Sequence, residues 1–299
     1  MRSIANRLYD SPLALLLGTG VLLGLNFPFG KLAMAEGIAP SLWACVISLG
    51  AGLALLIIAK VSEPPLERST GLARFAIISG FISYVMPNLL IFTVIPKIGS
   101  GMAGIMFALS PVATALLSLL LNVRPPNRFG VLGILFGLLG AALIVWGKNS
   151  GAGQGVSLWL LLALAVPLFL AVGNVYRSLA WPTGVGPKLL GSLTNLAAVP
   201  FLIAIALVMG DSLDPSVLIH TPILLVAQLA ASTATFTIFF RLQQIGGPTY
   251  LSQIGYVAAA VSLFIGVGVF GEYYPAAVWI GAAIIVVGIG LTTYSTRRP

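Results

Sequence analysis

Polar side chains recur at helical spacing inside otherwise apolar segments, and their chemistry is that of a binding site. The clearest row is Gln228, Ser232, Thr235 and Phe239, which share one face of a helix. Amides and hydroxyls can hydrogen-bond the amine and carboxylate of a zwitterionic solute, and aromatic rings can stack on its apolar part. Similar rows complete the set of candidate substrate-binding residues: Asn26, Tyr84, Asn88, Phe107, Ser110, Asn174, Gln228, Ser232, Thr235, Gln253 and Tyr256.

The same side chains also fit a role in helix packing. Ser and Thr often donate to the carbonyl one turn back, and Asn or Gln can bridge two helices. Proline and glycine raise a parallel question, because Pro111 and Gly255 are candidate hinges that could equally form fixed kinks. At the level of sequence both alternatives stay open.

The elements that position these residues follow from composition. The chain has 299 residues, of which 59% are hydrophobic and 7% charged, against roughly 25% charged in a soluble protein. Continuous apolar stretches near 20 residues match the thickness of a bilayer core as helices, which favours an all-α polytopic membrane protein over a membrane β-barrel. Ten spans are predicted, at about 12–33, 40–59, 75–96, 99–121, 129–147, 157–177, 187–209, 217–240, 247–270 and 275–295.

The basic residues orient these spans. With a cytoplasmic N-terminus, twelve basic residues fall inside and three, Lys31, Lys97 and Lys148, fall outside, in line with the positive-inside rule. A nine-helix alternative would place the C-terminal Arg pair outside and weaken this bias. We expect both termini in the cytoplasm and a bacterial-type inner-membrane location. The inside set is Arg2, Arg7, Lys60, Arg68, Arg74, Arg124, Arg128, Arg177, Lys188, Arg241, Arg297 and Arg298.

Other residues near span ends are interpreted through the membrane interface. Lys31 and Arg177 are expected to extend to lipid headgroups, or alternatively to meet a substrate carboxylate at the two cavity mouths. His220 is expected near the outer end of span 8. The aromatic residues Trp146, Trp159, Tyr273, Tyr274, Trp279 and Tyr294 are expected to anchor the chain at the interface.

The acidic residues argue against an obvious proton relay. All seven fall in turns or at span ends, and no carboxylate is predicted at the middle of the membrane. Motifs for metalloproteases, P-loop enzymes and α/β-hydrolases are missing from the sequence, and the single Cys45 permits no intrachain disulfide. We therefore expect no enzyme activity, no metal, no cofactor and no nucleic-acid partner.

Four pairs of residues indicate an internal repeat. Gly133 and Gly140 recur 148 residues later as Gly281 and Gly288, and Asn26 recurs as Asn174. Ile98-Gly99 recurs as Ile245-Gly246, 147 residues on. A repeat of five spans must be followed by a copy of opposite orientation, so the halves 1–150 and 151–299 are predicted to be two inverted five-helix repeats around a central cavity.

The second half ends in Gly271-Glu272-Tyr273-Tyr274 followed by a helix with Gly281 and Gly288. This pattern resembles the EamA domain of the drug/metabolite transporter superfamily, and the likeness covers almost the whole chain. The first half departs from it, with Asn122-Val123-Arg124 in place of Gly271-Glu272. Within the superfamily the chain looks most similar to YddG-type amino-acid exporters. The resemblance implies a ten-helix basket whose cavity is bounded by spans 1, 3, 4, 6, 8 and 9.

Together the residues and the resemblance predict an inner-membrane secondary transporter that exports small metabolites. Amino acids, including aromatic or other apolar ones, are the favoured cargo, moved by alternating access in a monomer. One alternative keeps the fold with drug-like or other metabolite cargo. Another is a channel or a membrane assembly subunit, but polar rows interrupted by Leu and Val favour a closed cavity over an open pore.

Overall fold

Amide and aromatic residues of the candidate set lie on long apolar helices in the computed structural model. The structure describes residues 10–65, 69–121, 127–149 and 158–297, and these residues form helices and no strand. Five basic residues used in the orientation argument lie outside the described residues: Arg2, Arg7, Arg68, Arg124 and Arg298.

Twelve α-helices are labelled in chain order. They are α1 (Pro12–Ala35), α2 (Pro40–Ser62), α3 (Leu72–Gly80), α4 (Met86–Ile98), α5 (Ser100–Phe107), α6 (Ser110–Leu120), α7 (Arg128–Asn149), α8 (Leu158–Leu179), α9 (Pro187–Met209), α10 (Pro222–Ser252), α11 (Ile254–Gly268) and α12 (Ala276–Arg297). A π-helical turn, Phe81–Val85, joins α3 to α4 without a break, and a short 3₁₀ helix, Pro215–His220, precedes α10.

Seven helical segments of the described chain are long and apolar enough to cross a membrane. They are Pro12–Ala35, Pro40–Ser62, Leu72–Ile98, Ser100–Leu117, Leu158–Leu179, Pro187–Met209 and Pro222–Pro248. Three further apolar helices are shorter: Arg128–Ile144, Ile254–Gly268 and Ala276–Gly288. The chain is thus an all-helical, multi-pass membrane protein, and each of the ten predicted spans overlaps one of these segments.

Two predicted spans need correction. Span 8 begins at Pro222 rather than near residue 217, so His220 lies in the preceding 3₁₀ helix, where Asp214 accepts from the Ser216 N–H and starts the turn. Span 4 is two helices, because Pro111 has no N–H to donate to the Phe107 carbonyl and the chain loses α-geometry at Ala108 and Leu109.

Two glycines with positive φ mark equivalent breaks in the two halves. Gly99 (φ 90°, ψ 157°) separates α4 from α5, and Gly247 (φ 69°, ψ −177°) kinks α10. A side chain is strained at such φ values, so glycine is the residue that allows the chain to reverse there. Gly247 follows Gly99 by 148 residues, the spacing of the sequence repeat.

Contacts between helix ends lie at two opposite ends of the bundle. At the first, here called the Glu63 end, Glu63 accepts hydrogen bonds from the backbone N–H groups of Lys188 (2.8 Å) and Leu189 (3.0 Å), which start α9. At the second, the Glu272 end, Ser41 donates to Asp211 at 2.5 Å and thereby joins the start of α2 to the end of α9. Since each end of α2 meets an end of α9, these two helices run antiparallel.

The two glycine helices of the repeat pack against each other. A Cβ atom at Gly140 of α7 would lie 2.6 Å from the Gly281 carbonyl oxygen, and one at Gly288 of α12 would lie 2.7 Å from the Gly133 carbonyl oxygen. Distances this short leave room for glycine alone. This close pair forms one side of the bundle and leaves the cavity to other helices.

Candidate functional site

A central cavity of about 80 Å³ lies among the helices. That volume would hold roughly five to eight water molecules. It is lined by Leu23, Asn26, Phe27, Ile47, Ser83, Tyr84, Pro87, Asn88, Ile91, Phe92, Phe107, Ser110, Leu170, Asn174, Arg177, Thr235, Phe236, Phe239, Ser252 and Ile254. Predicted spans 1, 3, 4, 6, 8 and 9 supply all of these except Ile47, which comes from α2.

The cavity brings seven of the eleven predicted binding residues together: Asn26, Tyr84, Asn88, Phe107, Ser110, Asn174 and Thr235. Four others do not line it: Gln228, Ser232, Gln253 and Tyr256. The wall is mainly aromatic and aliphatic with a few amides and hydroxyls, a composition typical of sites for small molecules with both polar and apolar parts. The described residues that line it include no carboxylate.

Gln228 and Ser232 lie behind the wall and hold Asn26. The Nε2 group of Gln228 donates to Asn26 Oδ1 and, at 2.7 Å, to Ser232 Oγ. Ser232 Oγ lies 3.2 Å from the same Asn26 oxygen, and Asn26 Nδ2 donates to the Leu22 carbonyl at 3.0 Å. The row on α10 therefore shares one face as predicted, but two of its members fix the orientation of an amide on α1 rather than face the cavity.

Thr235 shows that one residue can both stabilise a helix and line the cavity, the two roles that the sequence left open. Its Oγ1 donates to the Ala231 carbonyl one turn back, at 2.7 Å, and the residue also lines the cavity. Thr114 makes the same bond to the Ser110 carbonyl at 2.7 Å. A hydroxyl bonded in this way keeps acceptor capacity for a ligand.

Both hinge candidates lie where a helix breaks beside the cavity. Pro111 is the second residue of α6, and Gly255 is the second residue of α11. A Cβ atom at Gly255 would lie 3.2 Å from the Phe107 carbonyl oxygen and 3.4 Å from the Ala108 Cα atom, so the two breaks touch. The contact places both irregular segments at one point of the wall.

Arg177 does not take the first of the two roles predicted for it. Instead of extending to headgroups it is 1% exposed and lies in the cavity wall. Its Nη2 donates to Asn174 Oδ1 at 2.6 Å, its Nη1 to Ser83 Oγ and its Nε to Gln243 Oε1 at 3.4 Å. The guanidinium carbon also lies 5.2 Å from the centre of the Phe239 ring, within cation–π range.

Ser83 and Gln243 are functional candidates that the sequence did not reveal. Ser83 reaches Arg177 because it lies in the π-helical turn, which adds a residue to the turn and for which the sequence carries no clear signal. Gln243 is 3% exposed and also donates to Ser178 Oγ at 2.6 Å. The spacing of polar residues along span 8 could have indicated Gln243, because this residue lies eight positions after Thr235.

Lys31 also departs from both of its predicted roles. Its ammonium pairs with Glu272 Oε1 at 2.6 Å, at the Glu272 end of the bundle. The Glu272 carboxylate further accepts from the Ser100 N–H (2.8 Å) and the Gly101 N–H (3.0 Å), and from the Tyr274 hydroxyl. Tyr274 is 4% exposed, so it serves this cluster and is not an interface anchor as predicted.

The cluster keeps Glu272 ionised. Burial by itself raises the pKa of this carboxyl, but hydrogen bonds from Lys31, Tyr274, Gly101 and Ser100 outweigh it and lower the pKa to about 2. The carboxylate also lies at the N-terminus of α5, where the helix dipole favours negative charge. These contacts tie α1, α5 and the turn before α12 together at one end of the bundle.

Comparison with known proteins agrees with this architecture. Residues 11–146 match the EamA-like transporter family. A solved crystal structure, described only as that of a protein, has a TM-score of 0.64 and 21% sequence identity, and the match covers 95% of this chain and 97% of the other. No curated protein matches the chain. Residues 11–146 of this chain are thus similar to an EamA-like transporter domain, in agreement with the resemblance found in the sequence.

Proposed function

We propose that this membrane transporter is a carrier that exports small metabolites, in particular amino acids, across an inner membrane. The observation that carries the proposal is the enclosed central cavity with amides from both halves, Asn26 and Asn174, on its wall. A volume of about 80 Å³ takes roughly five to eight waters, which is the number of non-hydrogen atoms in a small amino acid. Larger apolar or aromatic cargo would require the surrounding rings to move.

We further propose that all ten apolar segments span the membrane as two inverted halves, 1–150 and 151–299. The mirrored breaks at Gly99 and Gly247 and the packing of the repeated glycines support this symmetry. Alternating access would then rock the halves about the cavity, with Pro111 and Gly255 as hinges where the broken helices touch. The carrier is proposed to act as a monomer.

The proposed energy source is the gradient of the substrate. Glu272 is a partly buried carboxylate and is therefore the candidate for a proton relay among the described residues. It is paired with Lys31 at one end of the bundle, away from the residues that line the cavity. The described residues of the cavity wall include no carboxylate or histidine that could load and release a proton during transport. Gradient-driven movement without a buried-carboxylate relay is consistent with this arrangement.

Counterflow in proteoliposomes tests the proposal. Vesicles preloaded with one unlabelled amino acid, from alanine to phenylalanine, should accumulate the radiolabelled form with saturable kinetics. An imposed pH gradient with substrate equal on both sides should not accelerate flux. Linear, unsaturable flux would point to a channel, and a lack of exchange with every amino acid would overturn the assignment of cargo.

Two threonines of α10 provide a matched pair of variants. Thr235 lines the cavity, whereas Thr237 lies on an outer groove, and each donates to the carbonyl four residues back at 2.7 Å. Thr235→Val should raise the half-saturation concentration several-fold because it removes a polar atom from the cavity. Thr237→Val should leave it unchanged, and equal effects of both variants would contradict the cavity as the transport site.

A further inference from the structure

Arg177 is a buried cation whose hydrogen-bond partners are all neutral. Its partners are the Ser83 hydroxyl and the side-chain carbonyl oxygens of Asn174 and Gln243. Within the described part of the chain no carboxylate pairs with it, whereas Lys31 pairs with Glu272 and Arg241 with Asp10. An unpaired charge removed from water is costly, so a position of this kind favours a ligand that supplies the missing negative charge.

The guanidinium keeps donors for such a ligand. It carries five N–H groups, and its three hydrogen bonds use one each on Nε, Nη1 and Nη2. One N–H therefore remains on each Nη nitrogen. These two groups suit a carboxylate, because the planar guanidinium and the planar carboxylate can form paired hydrogen bonds.

The surrounding wall fixes the guanidinium and supports negative charge next to it. Ser83, Asn174 and Gln243 hold it from three helical segments, and the Phe239 ring lies 5.2 Å from its central carbon. The N-terminus of α6 begins at Ser110 on the same cavity wall, and the positive end of a helix dipole adds to the attraction for an anion. The site is thus built before any ligand arrives.

Other residues of the cavity wall fit the remainder of a small solute. Asn88 lines the cavity, and its side-chain amide makes no hydrogen bond to the described residues, so the amide is available for a second polar group. Phe27, Phe107 and Phe236 supply apolar surface. We propose that Arg177 is the substrate-binding residue that selects a carboxylate, so that the cargo is a small carboxylate with an apolar side group. The inference rests on the proposed transport function and narrows its substrate class.

Four compounds that share an isobutyl group separate recognition of the carboxylate from recognition of the amine and the apolar group. L-Leucine and 4-methylpentanoate carry the carboxylate, whereas L-leucinamide and 3-methylbutylamine do not. Binding to the purified wild-type protein is followed through the ligand-dependent rise in melting temperature. The expected result is that the two carboxylates bind at least tenfold more tightly than the two amines. Equal binding of leucine and leucinamide, or no binding of either carboxylate, would overturn the inference without any variant.

Variants then assign the preference to Arg177. Arg177→Gln should abolish the preference in binding affinity for leucine over leucinamide. Arg177→Lys should keep part of this preference, because an ammonium retains the charge but not the fork of donors. Arg241→Gln is the matched control, since Arg241 lies near the same end of the bundle in an exposed pair with Asp10. A ratio that survives in Arg177→Gln would defeat the assignment.

Counterflow of radiolabelled leucine by the same wild-type preparation distinguishes the two proposals. Carboxylate-selective binding without counterflow would defeat the transport function and leave the anion site standing. Counterflow that is as fast for leucinamide as for leucine would defeat the anion site and leave the carrier standing.

Discussion

The partly or fully buried charged side chains serve two purposes: some stabilise the fold, and one is positioned to bind a ligand. Lys31 and Glu272 satisfy each other at one end, and the carboxylate also caps α5 through Ser100 and Gly101. Arg177 is more deeply buried than either of them and has neutral partners. A charge engaged by an opposite charge stabilises the fold, whereas one held by hydroxyls and amides is positioned for a ligand. The sequence could not separate them, since both lie near span ends.

Glu272 should make the stability of the protein depend on acidic pH. Its pKa in the folded protein is about 2, against an ordinary value of 4.5. The ionised group therefore stabilises the folded state above about pH 4.5, and this contribution is lost as the pH falls toward 2. Melting temperatures in detergent between pH 6 and 2 should fall more steeply for the wild type than for Glu272→Gln.

Glu36, an exposed carboxylate at the same end of the bundle, provides the control for this prediction. The Glu36→Gln variant should follow the wild-type pH profile. If Glu272→Gln kept the wild-type slope as well, the cluster around Glu272 would contribute nothing to stability.

At the scale of helices, irregular turns bring the polar groups to the cavity. The π-helical turn Phe81–Val85 carries Ser83 and Tyr84, and it packs on Gly173 of α8. A Cβ atom at Gly173 would contact Ser83 Oγ and lie 3.2 Å from Ser83 Cβ and 3.3 Å from Arg177 Nη1. The close approach of α8 to the π-helical turn therefore decides whether Ser83 can hold Arg177.

Gly173→Ala should weaken ligand binding even though the new methyl group is small. Overpacking of this kind typically costs about 1–3 kcal/mol, and here the displacement falls on the contact between Ser83 and Arg177. Gly268→Ala is the matched control, because a Cβ atom there would meet no atom within 4 Å. Apparent affinity for L-leucine, measured by thermal shift, should fall for Gly173→Ala alone; an unchanged affinity would show that Ser83 does not position Arg177.

The helices themselves could be predicted, because long apolar stretches and Pro or Gly boundaries act locally. Seven of the eleven candidate residues line the cavity for the same reason: helical spacing determines which side chains share a face. Gln228 and Ser232 show the limit of this argument, since the face is right but the distance from the cavity is set by packing against α1. The pairing of Lys31 with Glu272 joins residues 241 positions apart, which periodicity cannot reveal.

The whole molecule has an asymmetry of charge between its two ends. Among the described residues, most basic residues lie at the Glu63 end, whereas the Glu272 end has Lys31, which is paired with Glu272, together with Lys97 and Lys148. The basic residues of the Glu63 end are Lys60, Arg74, Arg128, Arg177, Lys188, Arg241 and Arg297. The positive-inside rule therefore predicts that the Glu63 end faces the cytoplasm.

Cysteine labelling in cells tests this orientation. The single native cysteine, Cys45, is buried, and Cys45→Ala gives a background for single new cysteines in two exposed loops. Thr183 lies at the Glu63 end and Ser212 at the Glu272 end. A membrane-impermeant maleimide should label Ser212→Cys in intact cells and Thr183→Cys only after the membrane is opened. Labelling of Thr183→Cys in intact cells would show that the Glu63 end faces the outside and would overturn the predicted orientation.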